Sequence, residues 1–107
     1  MKLEVGTYLR TDRGKIGKLH KELKDYYELE YPRNVCDLVY KNRIIKSSST
    51  LLGIINIGDY VNGKQIDNIQ LGRGEYVLVG LHRIYESEIK SIVTHEQMEQ
   101  MAYKVGE

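Results

Sequence analysis

The residues of this chain that could do chemistry are few and far apart. His20, His82 and His95 lack the short-spaced partners that helical or finger-type zinc sites use, so a metal site is not expected. Cys36 is the only cysteine, which excludes an intrachain disulfide and cysteine-only metal sites. Beside Val35 and Leu38 it reads as a small buried hydrophobe rather than a nucleophile. Glu86 and Glu88 share a face if their segment is extended, as a glycosidase carboxylate pair would, but a solvated face is the better reading in a chain too short to build a cleft around them. Gly72-Arg73-Gly74 and the pair Gly14 and Gly17 lack the strand-to-helix setting and the Lys-Ser/Thr sequel of a phosphate-binding loop, and read as turns. The expectation is a protein without catalytic residues or a cofactor, which works by binding.

Cations and tyrosines are the residues suited to that. There are nine Tyr and neither Phe nor Trp, a set that fits half-buried strand faces and wet contact surfaces, because the ring packs while the hydroxyl reaches water. Arg10, Arg13, Lys15 and Lys18 cluster in one segment; Arg73, His82 and Arg83 fall near Tyr76 and Tyr85 in another. A guanidinium beside a Tyr ring suits a planar anion such as a nucleotide. The candidate ligand-binding residues are Arg83, His82 and Tyr85, with Tyr60, Asn62 and Lys64 from a neighbouring hairpin.

The elements that must position these residues are mostly strands. Val5 to Leu9 alternates as a strand, Thr11-Asp12-Arg13-Gly14 supplies a turn, and Lys15 to Leu19 resumes as a second strand. Lys18 to Asp25 also carries Leu19 and Leu23 at helical spacing, which would allow a turn or two of helix. Tyr26 to Tyr31 alternates with Tyr27, Leu29 and Tyr31 on one face, and Pro32-Arg33-Asn34 ends it. Val35 to Lys46 reads as a hairpin turning at Lys41-Asn42-Arg43, and Ser47 to Thr50 as a polar loop joining the halves without dividing them. Ile57-Gly58-Asp59-Tyr60-Val61 followed by Asn62-Gly63-Lys64-Gln65-Ile66 echoes Val5-Gly6-Thr7-Tyr8-Leu9 followed by Gly14-Lys15-Ile16. Asn62-Gly63 is the strongest hairpin signal in the chain, since a type I′ turn needs positive φ at both residues. Further strands are expected at Glu75 to Val79, Leu81 to Tyr85 and Ser87 to Val93. Thr94 and Gln97 form a capping box for a helix over His95 to Met101, and Ala102 to Val105 is expected to close the chain as a strand.

These elements predict a mainly β fold with one short C-terminal helix: a small twisted sheet or a Src-homology or KOW-like barrel built from hairpins, as one domain over residues 1–107. Sixteen Lys and Arg against fifteen Asp and Glu leave a net charge of +1, unlike a duplex-DNA binder and unlike an acidic nucleic-acid mimic. No stretch reaches the ~20 apolar residues of a membrane span, no signal-peptide core appears, and the lone cysteine fits a reducing cytoplasm.

The segments Val5-Gly6-Thr7-Tyr8, Ile57 to Gly63 and Glu88 to Gln97 resemble a group of small phage and prophage proteins of Gram-positive bacteria. The resemblance covers both ends and the middle, and is weaker between Leu19 and Lys46. It implies a barrel-like accessory protein of the infected cell's cytoplasm, and with it a counter-defence role. In that role the protein sequesters a nucleotide-type immune signal or blocks a host immune protein, and a homo-oligomer is expected. Two alternatives stay open: a nucleic-acid-associated barrel module using the hairpin Arg10 to Lys18, and a structural homo-oligomer.

Overall fold

The computed structural model describes the backbone of residues 3–31 and 35–105, and side chains within those ranges through Met101. The chain divides into two compact units, Met1–Ile54 and Ile55–Glu107. Ser47 and Ser48 are strand rather than part of the polar loop expected at Ser47 to Thr50, because they pair with Leu9 and Tyr8, and the boundary falls just beyond Thr50.

The first unit holds β1 (Tyr8–Thr11), β2 (Ile16–Glu22), β3 (Tyr26–Tyr31), β4 (Val35–Tyr40) and β5 (Ile44–Ser48) in one antiparallel sheet of order β4-β3-β2-β1-β5. Laid flat, that order would set β4 and β5 about 19 Å apart, four strand spacings. Their connection is a single 3-10 turn, Lys41–Arg43, which advances only about 6 Å. The sheet therefore curls until its edges approach, and its interior closes on Leu9, Leu19 and Leu29, with Tyr27, Tyr31, Val39 and Ile44 packed against them. The mainly β fold built from antiparallel strands is as expected from the sequence.

Three local expectations change in this unit. Val5 and Gly6 form a turn rather than strand, because Gly6 takes φ 93°. Lys18 to Glu22 stays extended: Leu19 pairs with Leu29 in the core, and a bulge between Leu19 and Lys21, not a helix, re-aims the strand. The segment Val35 to Lys46 contains two strands but no hairpin, since β4 pairs with β3 and β5 with β1. Gly17 lies within β2 rather than in a turn, and a Cβ there would come 3.0 Å from the Tyr31 ring and 3.2 Å from the Glu30 carbonyl oxygen, a tight approach that favours glycine. The strand end assigned to Pro32-Arg33-Asn34 lies outside the described residues.

The second unit holds β6 (Tyr60–Val61), β7 (Lys64–Gln65), β8 (Asn68–Gln70), β9 (Tyr76–Val79), β10 (His82–Tyr85), β11 (Ile92–Val93) and α1 (His95–Val105). Its sheets run β11-β6-β7 and β10-β9-β8. Only Ile66 and Asp67 separate β7 from β8, so one bent strand serves both sheets. With that strand counted once, each unit has the same order: the last strand pairs with the first, the second follows, then the third and fourth, and a three-residue 3-10 turn leads from the fourth toward the last.

The first half of the sequence echo is thus structural, whereas the second is displaced: Lys64 matches Gly17 and Ile66 matches Leu19, not Lys15 and Ile16. Thr7 donates to the Glu4 carbonyl and Asp59 to that of Asn56, each at 3.1 Å, closing two turns with glycine at positive φ in the third position, Gly6 at 93° and Gly58 at 100°. Gly6 and Thr7 bracket Leu19 with two backbone hydrogen bonds, and Gly58 and Asp59 bracket Ile66 in the same way. Leu9 and Val61, then Leu19 and Ile66, fill matching buried positions.

Asn62 and Gly63 adopt φ 52° and 81°, and Tyr60 pairs with Gln65, as a two-residue type I′ hairpin requires. Ser87 to Ile89 is not strand. Glu86–Glu88 is a 3-10 turn in which the Glu88 carboxylate accepts the Tyr85 N–H at 3.1 Å, so Glu86 and Glu88 do not share an extended face. The capping box is present: Thr94 N–H donates to Gln97 Oε1 at 3.0 Å, and Gln97 N–H donates to Thr94 Oγ1 at 3.3 Å. The helix it starts runs to Val105, so the closing strand expected at Ala102 to Val105 is helix instead. No helix among the described residues is long and apolar enough to cross a membrane.

Candidate functional site

The hairpin of β9 and β10 turns at Gly80 and Leu81 and pairs His82 with Val79, Arg83 with Leu78, Ile84 with Val77 and Tyr85 with Tyr76. Side chains alternate across a strand, so the sheet formed with β8 has two faces. One carries buried Val77 and Val79. The other lines up Asn68, Leu78 and Arg83 in one row and Gln70, Tyr76 and Tyr85 in the next. Asn68, Gln70, Arg83 and Tyr85 on this second face are exposed.

The aromatic and cationic groups of that face meet. The Arg83 guanidinium lies 4.7 Å from the centre of the Tyr76 ring, and Tyr85 meets the same ring edge-on with centroids 5.9 Å apart. No carboxylate among the described residues pairs with Arg83, whose charge lies over the Tyr76 ring in an exposed position. Asn68 Oδ1 accepts the Ile69 N–H and Gln70 donates to the Leu71 carbonyl, leaving an amide donor on Asn68 and an acceptor on Gln70. The face offers stacking surface, one fixed positive charge and two hydrogen-bonding edges. It has no nucleophile or general base in place.

Of the six candidate residues, Arg83 and Tyr85 come together here around Tyr76. His82 stands at the start of β10 on the opposite alternation, away from Arg83. Tyr60 is half-buried in β6 and Lys64 exposed in β7. Asn62 serves the fold: its Nδ2 donates to the Glu88 carbonyl at 3.0 Å, and its Oδ1 accepts the N–H groups of Lys90 at 2.7 Å and Ser91 at 3.1 Å. It clasps the segment that leads into β11. A depression of about 630 Å³ lined by Asn62, Ile84, Glu88, Lys90 and Ser91 is the nearest feature to a pocket around these residues, and the Asn62 amide groups that border it are already engaged.

The basic segment Arg10 to Lys18 is only partly a surface. Arg10 is fully buried and donates to the Ile54 carbonyl at 3.3 Å, so it cannot follow a phosphate backbone. Lys15 and Lys18 are exposed, with their ammonium groups 5.8 Å and 5.3 Å from the Tyr31 and Tyr8 ring centres. Cys36 is exposed rather than buried, because both faces of the edge strand β4 are open over most of its length. Loss of water around the thiol and the nearby Glu28 and Glu30 carboxylates push its pKa up, which works against a nucleophilic thiolate.

Asp59 escaped the sequence reading. Its fully buried carboxylate accepts the Asn56 N–H at 2.7 Å and the His95 N–H at 3.0 Å, the second at the start of α1. His95 Nδ1 lies 3.3 Å from the same carboxylate and Nε2 3.3 Å from Glu96. These three residues are a group that could approach a metal ion. The imidazole, however, presents a different nitrogen to each carboxylate, and Asp59 already accepts two backbone donors, so the arrangement is that of a clamp on the helix start. The signal for it was the aspartate in the turn Asn56 to Asp59, where the first copy has Thr7.

Comparison with known protein families, curated proteins and solved structures finds no match.

Proposed function

We propose that the protein binds a nucleotide-type ligand, a planar base carrying phosphate, on the exposed face of β8, β9 and β10, and holds it without chemical change. The observation that carries this reading is the Arg83 guanidinium 4.7 Å over the Tyr76 ring, with Tyr85 edge-on beside it. A ring packed against the flat side of an arginine orients its donors outward, which suits bidentate contact with a phosphate, while a base stacks on tyrosine. Asn68 and Gln70 supply an edge for the base. In the phage setting implied by the sequence resemblance, such binding sequesters a nucleotide immune signal in the infected cell's cytoplasm. The protein works there as a homo-oligomer, because an open face becomes an enclosed cleft only when a second copy covers it.

Calorimetric titration of the purified protein with linear and cyclic nucleotides tests the reading. Binding that weakens at least tenfold in Arg83→Ala is the expected result, and mass in solution with and without ligand reports the assembly. Failure of every nucleotide to bind the wild type would remove this function.

A further inference from the structure

The strand at one edge of the first unit's sheet is open in a way that its counterpart in the second unit is not. The Lys41 N–H donates to the Asp25 carbonyl at 3.1 Å, just outside the facing pair Tyr26 and Tyr40. That bond marks Tyr26–Tyr40 as a non-hydrogen-bonded pair of the antiparallel ladder, and by alternation Glu28–Leu38 and Glu30–Cys36 as well. The backbone N–H and C=O groups of Cys36, Leu38 and Tyr40 therefore point away from β3, toward the free side of β4. The Leu38 N–H agrees, since it donates to Asp37 Oδ1 at 2.9 Å, outside the ladder. The 3-10 turn brings the sheet's edges near one another, but β4 and β5 share no ladder. Val35, Leu38 and Tyr40 are each half or more exposed, and β4 pairs with β3 over six residues without a bulge.

Such an edge is a template for another strand, and proteins blunt it with charge, proline, a bulge or a short strand. The second unit does so: β10 has four residues, Arg83 stands two before the closing Tyr85 where Leu38 stands two before Tyr40, and the Glu88 carboxylate takes the Tyr85 N–H. β4 has no Lys, Arg or Pro, and Asp37 is its one charge. Independently of the ligand reading above, we propose that β4 pairs antiparallel with β4 of a second copy about a two-fold axis at Leu38. Outward groups meet outward groups only when Cys36, Leu38 and Tyr40 of the two copies oppose one another. An axis at Asp37 would set two carboxylates face to face, and one at Cys36, Val39 or Tyr40 would shorten the pairing. The axis at Leu38 sets Cys36 of one copy against Tyr40 of the other and Asp37 against Val39, opposes no like charges and keeps the whole run Cys36 to Tyr40. The edge is thus self-complementary, as a symmetric dimer requires. So short a pairing buries little area, and the association is weak and reversible.

The test is sedimentation of the full chain, without nucleotide, from micromolar to millimolar concentration, with amide exchange followed on the same unmutated samples. Expected are a reversible rise in mass toward twice that of one chain and slower exchange of the Cys36, Leu38 and Tyr40 amides as concentration rises. Leu38→Lys, which sets two cations face to face, should weaken association about tenfold or more, and Asp37→Ala, which frees the Leu38 N–H, should tighten it. Crosslinking reads the register. In this pairing the two Cys36 Cα atoms lie about 14 Å apart and the two Leu38 Cα atoms about 5.5 Å, so mild oxidation should join Leu38→Cys, made together with Cys36→Ser, far faster than the wild type. The mass of one chain at every concentration would overturn the proposal, as would a dimer indifferent to Leu38→Lys or a wild type that crosslinks through Cys36 as fast as the variant. With no nucleotide present, none of these results decides the ligand titration.

Discussion

At the scale of single residues, buried polar groups decide more than the exposed ones do. Asp59 holds two backbone donors out of water, and an amide left without its charged acceptor costs about 1.5–3 kcal/mol. Asp59→Ala should therefore lower the free energy of urea unfolding by about 3 kcal/mol or more, and Asp59→Asn by less. Thr94→Ala, which removes an ordinary N-cap, should cost about 1 kcal/mol. Equal effects would mean that Asp59 does not clamp the helix. Tyr31 runs the other way. Its hydroxyl is buried without a partner among the described residues, and burial followed by the Asp37 charge raises its pKa above 10.0. The folded chain thus favours the neutral phenol. Its contribution is intact below about pH 10, where the unfolded phenol begins to ionise, and is lost as pH rises from there through the raised folded pKa. Tyr31→Phe should be neutral or stabilising by up to about 1 kcal/mol at neutral pH, and should flatten the alkaline loss in thermal melts between about pH 9 and 11.

At the scale of elements, the legible parts were those whose signal is local. Period-two segments such as Tyr26 to Tyr31, the Asn62-Gly63 turn and the Thr94 cap each depend on a few adjacent residues, and each formed as read. Pairing was not legible in the same way. Nothing near Lys41-Asn42-Arg43 says that β5 will cross to β1, because that choice is made by the burial of Leu9, Leu19 and Leu29 together. The candidate site divided along the same line. Arg83 and Tyr85 follow from strand alternation, whereas the clasp of Asn62 on Lys90 and Ser91 joins segments that are distant in sequence. Gly17 illustrates the penalty for misreading: Gly17→Ala should push a methyl into the Tyr31 ring and destabilise by about 1–3 kcal/mol, which chemical denaturation would show as a lowered midpoint.

At the scale of the molecule, the balance of charge limits how binding can work. A chain with net charge +1 has little general attraction for a polyanion, so affinity must come from stacking and a few placed cations. The salt dependence of oligonucleotide binding should accordingly be shallow, with a log–log slope of about −0.7 to −1.4 for one or two phosphate contacts on a single strand. A steep slope would point to a long basic track instead. The repeated connectivity also gives each unit a closing pair between its first and last strands, such as Tyr8 with Ser48 and Tyr60 with Val93, and contacts so distant in sequence slow folding.

The turn at Asn62 and Gly63 has one more consequence, for how the protein ages. An asparagine followed by glycine is chemically fragile, because the glycine backbone nitrogen can attack the side-chain amide carbon, expel ammonia and close a succinimide that hydrolyses to aspartate or isoaspartate. Here the amide that must swing toward Gly63 is tied at both its nitrogen and its oxygen to Glu88, Lys90 and Ser91. Folded protein stored at mildly alkaline pH should keep Asn62 intact, and protein held in denaturant should lose it, as peptide mass spectrometry would record. Equal loss in both would show that the clasp opens freely; protection would make deamidation at this position a permanent record of each chain's time spent unfolded.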